Sequence, residues 1–301
     1  MKILITGGTG LIGSHLCGVL IANYKNIDIT ILTRNITATT HTFNQQIKFI
    51  DDITKLESHY HIIINLAGEP INKGRWTTKK KALILSSRIN VTQKLVEYIK
   101  RAKLKPELFV SGSAIGFYGS GDNKIFTENS IAADDGFTHQ LCAKWENVAN
   151  EAKNSGVRTV NLRTGIVLAK QGGILKEILL PFKLGLGCQF GDGTAWMSWI
   201  HINDLCNIIL YIINNKNIEG AVNATAPNPL QNKDFSRILA KSLNRPMFLT
   251  IPSLIVKMIF GEMGDALLLK GQRVLPSKIT QAGYSFEFNN IKTAFANFFQ
   301  K

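Results

Sequence analysis

The chain has 301 residues, 45% of them hydrophobic, which is enough to bury a sizeable core and to form two lobes. Its 4 cysteines are widely separated without a CxxC pair, and its 6 histidines show no ligand spacing beyond His59 and His61, so neither a disulfide framework nor a metal site is expected. The net charge of +14 comes from lysines scattered over predicted helices, not from a basic stripe with interleaved aromatic residues. Nucleic acid is therefore not the expected partner; a solvated basic surface, or attraction of a polyphosphate ligand, accounts for the charge.

The N-terminal residues MKILITGG run directly into an apolar strand pattern, without the charged region, long apolar region and cleavage site of a secretory signal. The longest later apolar run, residues 249–260, is broken by Pro252 and Lys257 and is too short to span a membrane. We expect a cytoplasmic protein without a membrane partner, in keeping with its unpaired cysteines.

Short apolar runs alternate with helix-length amphipathic segments through the first half of the chain. The predicted strands are KILIT, IDITILT, IKFID, HIIINLA, ELFVSGS and RTVNLRTG, and the predicted helices cover residues 11–23, residues 77–102 and the segment after Phe137. Because these strands are apolar enough to be covered on both faces, the alternation predicts an α/β fold with a doubly wound parallel sheet, a Rossmann-type domain.

The pattern changes after the strand RTVNLRTG. A glycine-rich segment with an apolar centre comes next, and shorter strands and helices follow without a clear repeat. We predict a smaller C-terminal lobe that holds the substrate. The dinucleotide-binding domain is expected to comprise residues 1–165 plus about 201–228, and the substrate lobe about 166–200 plus 229–301.

The segment GGTGLIG, residues 7–13, follows the first predicted strand directly and opens the first predicted helix. In that context a GxGxxG pattern is a dinucleotide-binding fingerprint, whereas alone it is a weak signal that also fits a plain strand–helix turn. One glycine permits the tight turn, another lets backbone N–H groups approach the pyrophosphate, and the last lets helix and strand pack closely. The predicted cofactor contacts in this loop are Gly7, Thr9, Gly10, Leu11, Ile12 and Gly13.

The end of the second predicted strand distinguishes the two dinucleotides. A carboxylate there would hydrogen-bond the adenosine ribose of NAD, but the chain offers Thr33, Arg34 and Asn35 instead. Arg34 can pair with a ribose phosphate in a forked, charge-assisted contact, which favours NADP(H) over NAD. The alternative for Arg34 is an exposed loop arginine.

In these residues and in the motifs given below, the chain resembles the extended short-chain dehydrogenase/reductase superfamily. Within it the likeness is to the atypical, epimerase-like subfamily whose members carry names such as sugar-nucleotide epimerase or cell-division inhibitor. The likeness covers nearly the whole chain and rests on GGTGLIG, NLAGEPI, RW, SRINVTQKLV, SGSAIGFYG, FTHQLCAKWE, LRTGIVL, GGIL, WIHINDL and GQRVLP.

The resemblance implies positions for further site residues. Cofactor contacts are expected after the fourth strand, at the end of the fifth strand, and from backbone in the LRTGIVL segment. By residue they are Leu66, Ala67, Gly68, Glu69, Ser111, Gly165 and Val167. The implied substrate contacts, largely from the second lobe, are Glu69, Trp76, Tyr118, Trp199, His201 and Arg273.

The helix that begins FTHQLCAKWE departs from the superfamily's pattern. The usual proton-transfer device is a Tyr and a Lys four residues apart, in which the lysine lowers the tyrosine pKa while an upstream Ser holds the substrate oxygen. Here the pair is either Thr138 and Cys142 or Gln140 and Lys144. We favour the first, since a Cys in place of the Lys is a feature of this subfamily.

Two questions about catalysis follow from that departure. A reactive Cys142 thiolate would need a nearby cation, but Glu146 lies one turn on along the same face, so an inert, packed cysteine is favoured. Ser113 is the retained member of the usual constellation. Other side chains that could replace the missing tyrosine are Tyr118, Glu69, His139 and His201, each of which also has an ordinary packing or surface interpretation.

The leading hypothesis is an NADP(H)-dependent, epimerase-like oxidoreductase that moves hydride at a carbinol or carbonyl carbon of a small-molecule substrate without the usual Tyr–Lys pair. The alternative is a catalytically silent NADPH-binding protein that acts as a sensor or regulator. The resemblance also implies a homodimer through the helix over residues 77–102 and the helix after Phe137.

Overall fold

A computed structural model describes residues 1–34, 36, 47–56 and 59–299 of the chain. The strands are β1 (Lys2–Thr6), β2 (Asp28–Leu32), β3 (Ile47–Ile50), β4 (Ile62–Asn65), β5 (Leu108–Ala114), β6 (Gly121–Phe126), β7 (Arg158–Thr164), β8 (Ile166–Ala169), β9 (Gly187–Phe190), β10 (Trp196–Met197), β11 (Trp199–His201), β12 (Gly220–Ala224), β13 (Leu230–Gln231), β14 (Met247–Ile251) and β15 (Gln272–Val274). The helices are α1 (Leu11–Asn23), α2 (Thr78–Arg101), α3 (Phe137–Asn150), α4 (Gly173–Lys183), α5 (Ile202–Asn214), α6 (Asn232–Ser242), α7 (Ser253–Phe260), α8 (Glu262–Gly264), α9 (Ser277–Gln281) and α10 (Ile291–Phe299). Among the described residues, no helix combines the length and apolarity needed to cross a bilayer.

A seven-stranded sheet forms the centre of the molecule, in the order β12-β7-β5-β4-β1-β2-β3. Every neighbouring pair in it is parallel. The predicted α/β fold with a doubly wound parallel sheet is therefore confirmed. The strand order reverses between β1 and β4, so the helices that follow these two strands, α1 and α2, cover opposite faces and leave a crevice at the carboxyl edge of the sheet.

Helices cover both faces of the sheet, as its apolar strands require. On one face α1 and α5 pack over a core that includes Ile3, Leu16 and Ile208. On the other face α2 and α3 pack together over Leu95 and Phe109. Because α1 has apolar residues nearly all round, it is buried between the sheet and α5, and its N-terminus is fixed at the crevice.

A separate hydrophobic core lies among the later elements. It includes Leu175 from α4, Trp199 from β11, Phe235 from α6 and Phe295 from α10. The short strand pairs β9 with β14 and β10 with β13 frame it. The exact division into residues 1–165 plus about 201–228 and the remainder stays a prediction.

Candidate functional site

The glycine loop lies at the reversal of strand order and has no room for side chains. Gly7 has φ +71°, and a Cβ added to it would lie 2.6 Å from the carbonyl carbon of Leu66, which follows β4. A Cβ on Gly13 would lie 2.3 Å from the carbonyl oxygen of Gly7. Since real Cβ atoms do not approach backbone so closely, these glycines allow the loops after β1 and β4 and the first turn of α1 to pack against one another.

The N-terminus of α1 faces this crevice without a side-chain cap. Its N-cap residue is Gly10, and both Thr9 and Gly10 are exposed. The first N–H groups of a helix have no partner within the helix, and its dipole favours a negative charge there. Leu11 and Ile12 are half-buried, and Leu11 packs against the chain near Gly172, so it also connects α1 to the segment that begins α4. The geometry is that of an anion-binding site.

The loop after β2 places Arg34 beside the crevice. Thr33 donates its backbone N–H to the Ile50 carbonyl at 2.8 Å, which continues the strand pairing by one residue. Arg34 is exposed and close enough to Glu69 to contribute to lowering the pKa of that carboxyl group. Asn35, the third residue predicted at this position, lies outside the described residues.

The loop after β4 is fixed by backbone hydrogen bonds on one side of the crevice. The backbone N–H of Leu66 donates to the Thr6 carbonyl at 3.0 Å, and that of Ala67 to the Thr6 hydroxyl at 3.3 Å. Glu69 accepts a hydrogen bond from Lys80 at 2.8 Å, and this bond is the main reason why the pKa of Glu69 lies below its ordinary value. Glu69 is therefore an ionised carboxylate and a poor proton donor.

A buried polar ladder joins this loop to both α2 and α3. The Thr6 hydroxyl donates to the Asn65 side-chain oxygen at 2.6 Å, and the Asn65 amide donates to the Thr92 hydroxyl at 2.8 Å. The Trp145 indole N–H also donates to Thr92, at 2.9 Å. Because each of these buried groups has a partner, the ladder fixes the position of α3 relative to the end of β4.

The ends of β5 and β7 form the deeper wall. Ser111 is fully buried, pairs with β4 on one side and β7 on the other, and its hydroxyl lies 3.4 Å from the Gly112 carbonyl oxygen. Gly165 packs so closely that an added Cβ would lie 2.5 Å from the Ser198 carbonyl oxygen. Val167 follows on β8 and is half-buried.

Ser113 belongs to a buried network of charged and polar side chains. Its hydroxyl donates to Glu146 Oε1 at 2.7 Å. Glu146 is paired with Arg163 by two parallel bonds of 2.8 Å, Nε to Oε1 and Nη2 to Oε2. Both charged side chains are nearly inaccessible, with 6% of Arg163 and 7% of Glu146 exposed. This forked ion pair therefore holds α3 against β7, and it also holds the Ser113 hydroxyl.

Tyr118 is the inner end of the same network, and its burial bears on its predicted role. Its hydroxyl donates to the Asn223 side-chain oxygen at 2.7 Å and accepts from Arg163 at 3.0 Å. The ring is completely buried, and this burial raises the pKa of Tyr118. The phenol is enclosed and already hydrogen-bonded, which argues against the predicted catalytic role of Tyr118.

Thr138 and Cys142, the altered pair on α3, pack against neighbouring residues. Thr138 lies against Gly116, where an added glycine Cβ would lie 3.0 Å from the Thr138 Cβ. Cys142 is buried one turn later, and burial together with the Glu146 carboxylate raises the pKa of its thiol to about 11. A thiol with such a pKa is protonated at neutral pH. The predicted inert cysteine agrees with this environment, and a nucleophilic role does not.

His139, on the first turn of α3, is partly exposed. Its Nδ1 lies 2.6 Å from the Phe117 carbonyl oxygen. Since a carbonyl can only accept, the proton of the neutral ring is assigned to Nδ1, which leaves the lone pair on Nε2. Of the alternatives to the missing tyrosine, His139 combines partial exposure with a defined orientation.

Two predicted substrate contacts lie in a packed core. Trp199 is completely buried and its indole N–H donates to the Asn228 carbonyl at 3.0 Å. His201 is stacked between Phe288 and Phe298, with ring centroids at 3.8 and 4.6 Å. Both residues stabilise the core of the later elements, and their burial argues against the predicted contact with substrate.

Two further predicted contacts, Trp76 and Arg273, are less completely enclosed. Trp76 keeps 7% of its area exposed, packs edge-on to Phe137 at 4.9 Å and donates its indole N–H to the Ile71 carbonyl. The Arg273 guanidinium lies over the Trp196 ring at 4.6 Å. Its buried Nε has no hydrogen-bond partner within the described part of the chain.

Two charged side chains at this site, Arg163 of β7 and Arg88 of α2, are not predicted individually from the sequence. Glu146 is predicted only as a charge near Cys142. The signal for a buried pair was the occurrence of isolated charges within apolar strand and helix faces, since such charges are rarely buried unless paired.

Comparison with known proteins adds a family relationship. The sequence model of the NAD dependent epimerase/dehydratase family matches residues 3–224, and that of a domain of unknown function, DUF1731, matches residues 251–298. The chain is 37% identical over 297 residues to the epimerase family protein YfhF of Bacillus subtilis (strain 168), which covers 98% of this chain and 96% of that protein.

Solved structures give the same relationship at the level of the fold. The human epimerase family protein SDR39U1 (isoform 2), crystallised with NADPH, superimposes with a TM-score of 0.90 at 30% identity, covering 99% of each chain. UDP-glucuronic acid 4-epimerase from Bacillus cereus, in complex with UDP-glucuronic acid and NAD, shares the fold with a TM-score of 0.78 at 20% identity, covering 100% of this chain and 99% of that one.

Proposed function

The chain belongs to the NAD dependent epimerase/dehydratase family, and on that premise we propose that it is an NADP(H)-binding, epimerase-like oxidoreductase. The observation that carries this proposal is the uncapped N-terminus of α1 behind a glycine loop that has no space for side chains. Such a loop lets backbone N–H groups approach a pyrophosphate closely. When bound, the nicotinamide supplies a hydride that can be exchanged with a carbinol or carbonyl carbon.

Preference for the phosphorylated dinucleotide rests on Arg34. It is exposed at the end of β2, where a carboxylate would be needed to bind the ribose hydroxyls of NAD. The relative SDR39U1 was crystallised with NADPH, which agrees with this preference, whereas the more distant 4-epimerase was crystallised with NAD. The residues proposed to hold the cofactor remain those predicted from the sequence.

We assign proton transfer to His139. It is partly exposed on the first turn of α3, beside Thr138, and its Nε2 lone pair can accept a proton. Ser113, whose proton is held by Glu146, can still accept a hydrogen bond from a substrate hydroxyl. Trp76 and Arg273 are proposed to contact a small-molecule substrate, and a homodimer through α2 and α3 stays a prediction.

Calorimetric titration with NADPH, NADP, NADH and NAD tests the cofactor assignment. Selective binding of the phosphorylated pair is expected, and Arg34→Ala should weaken it about 10–100-fold, as expected for loss of a charge-assisted contact. Binding of NADH as tight as that of NADPH in the wild-type protein would overturn the preference, and absence of binding by all four would overturn the proposed function.

NADPH oxidation over a panel of carbonyl compounds tests for turnover. If His139 transfers the proton, His139→Asn should lower kcat by about 10²–10⁴-fold without changing NADPH affinity. A second candidate function, a silent NADPH-binding regulator, is favoured by one observation: the Ser113 proton and Tyr118 are both held in the Glu146–Arg163 network. Oxidation of NADPH by any compound in the panel, lost in His139→Asn, would exclude that second function.

A further inference from the structure

Arg88, in the third turn of α2, places a guanidinium group directly beneath the loop that follows β4. A Cβ added to Gly68 would lie 2.8 Å from the Arg88 Cζ and 3.1 Å from both Nε and Nη2. On its other side, Arg88 lies over the Trp145 ring of α3 at 5.3 Å from the centroid. The guanidinium is thus enclosed between the exposed Gly68 backbone and an aromatic ring, and only a glycine leaves space for it.

Backbone groups hold this cation in one orientation while leaving part of it available. Its Nη1 donates to the carbonyl oxygens of Glu69 and Ile84, each at 3.0 Å. Within the described part of the chain, Nε and Nη2 make no hydrogen bond. A fixed guanidinium with two spare donors is suited to bind an oxygen-rich ligand.

The face of α3 that adjoins the crevice has no cation of its own. Lys144 is exposed on another face, and the buried Cys142 stands where the resemblance implies the lysine of the usual Tyr–Lys pair. Arg88 is near enough to Cys142 for its charge to favour the thiolate, although burial outweighs this effect and keeps the Cys142 pKa high. The positive charge at this end of the crevice therefore comes from α2.

The position of Arg88 along the crevice indicates which part of a dinucleotide it faces. Arg34 follows β2, on one side of the glycine loop, whereas Arg88 lies on the β4–β5 side, where Trp145 packs against Gly112. In doubly wound folds the two halves of a dinucleotide lie on opposite sides of the reversal of strand order. Arg34 therefore belongs to the adenosine half, and Arg88 to the nicotinamide half.

We propose that Arg88 is a cofactor-contacting residue that donates from Nε and Nη2 to an oxygen of the nicotinamide-side ribose, and so supplies from α2 the cation that α3 lacks at Cys142. This inference rests on the proposed NADP(H) function. Gly68 acquires a second role, because its lack of a side chain admits the guanidinium beneath the loop.

The test compares two ligands by calorimetry: NADPH, and 2′,5′-ADP, which has the phosphorylated adenosine half but no nicotinamide ribose. Arg88→Gln should weaken NADPH binding by about 10–100-fold and leave 2′,5′-ADP binding within about twofold. The matched control, Arg34→Ala, should weaken both ligands. Gly68→Ala, which displaces the guanidinium without removing it, should reproduce the Arg88→Gln pattern.

Transferring the positive charge from Arg88 to position 142 tests whether Arg88 contacts the ligand or only anchors the loop after β4. In Arg88→Gln combined with Cys142→Lys, at least a tenfold recovery of NADPH affinity is expected, since the cation then comes from α3.

Thermal melting is recorded for every variant. Equal weakening of both ligands with a lowered Tm would identify Arg88 as a structural anchor and overturn the inference, as would unchanged NADPH binding in Arg88→Gln. If wild-type protein bound NADPH and Arg88→Gln bound it equally well, this inference would fail alone; if wild-type protein bound no NADPH, the proposed function would fail with it.

Discussion

Around Gly7 and Gly13 the crevice is formed by backbone that leaves no room for a side chain, whereas around Glu146 it is formed by side chains that turn inward and pair with one another. The first region depends on missing Cβ atoms and exposed N–H groups, so it is suited to an anion. The second depends on buried charges, so it contributes to holding α3 and β7 together. Substitutions in the two regions should therefore act differently: in the first they should weaken ligand binding, and in the second they should lower the free energy of unfolding.

The largest expected effect is on the buried pair. Glu146→Gln leaves the Arg163 guanidinium inaccessible and without a counter-charge, so it should lower the free energy of unfolding by about 3–5 kcal/mol. Urea denaturation monitored by circular dichroism measures this change. The matched control is Glu151→Gln, which breaks the ion pair with Lys100, whose two side chains are each 49% exposed. Glu151→Gln should lower the free energy of unfolding by no more than about 1 kcal/mol. Similar losses in the two variants would show that the buried pair contributes no more to stability than an exposed one.

Burial of His201 predicts a pH effect in the later elements. Burial lowers the pKa of His201 to about 4, so between the ordinary value and that pH the unfolded chain binds a proton that the folded chain does not. Stability should therefore be complete above about pH 6.5 and fall by about 3 kcal/mol as the pH is lowered to 4. In the wild-type protein His201 accepts a hydrogen bond from the Asn203 N–H at the N-cap of α5, and His201→Asn retains an acceptor there. This variant should lose much less stability between about pH 6.5 and pH 4. Parallel pH profiles of the two proteins would contradict this explanation.

The glycine loop should show a smaller loss of stability and a larger loss of binding. Gly13→Ala forces a Cβ to within 2.3 Å of a carbonyl oxygen, which we expect to cost about 1–3 kcal/mol and to abolish measurable NADPH binding. Gly18→Ala, five residues later in α1, meets no atom within 4 Å and should raise stability by up to about 1 kcal/mol with unchanged binding. Thermal melting with and without NADPH measures both quantities. Retained NADPH binding in Gly13→Ala would contradict the backbone-built site.

The smallest expected effect is on the chemical reactivity of two cysteine thiols, not on stability or ligand binding. Because the pKa of Cys142 is about 11 and its thiol is buried, iodoacetamide at pH 8 should label it only on unfolding. Cys188 is partly exposed, although partial burial raises its pKa as well, and it should be labelled first. Peptide mass spectrometry over time gives both rates. Equal labelling of the two residues in native protein would restore Cys142 as a candidate nucleophile.

Much of the fold was accessible from the sequence because its signals are local. The apolar strands, the helix lengths and the glycine fingerprint follow from neighbouring residues, and the structure places β1, the loop and α1 as predicted. The substrate contacts were less accessible. Trp199 and His201 fall in one motif with polar neighbours, but the packing of α10 and the segment before it encloses both rings, and no local pattern shows that distant contact.

The sequence by itself determined the parallel sheet and the glycine loop between β1 and α1, because each depends on residue types at short spacing. Only the tertiary structure decided how the isolated charges are used. Glu146 meets Arg163 across 17 positions, and Arg88 meets Gly68 across the turn between two elements. Burial makes each such charge depend on its surroundings, and those surroundings are assembled from segments that are far apart in the chain.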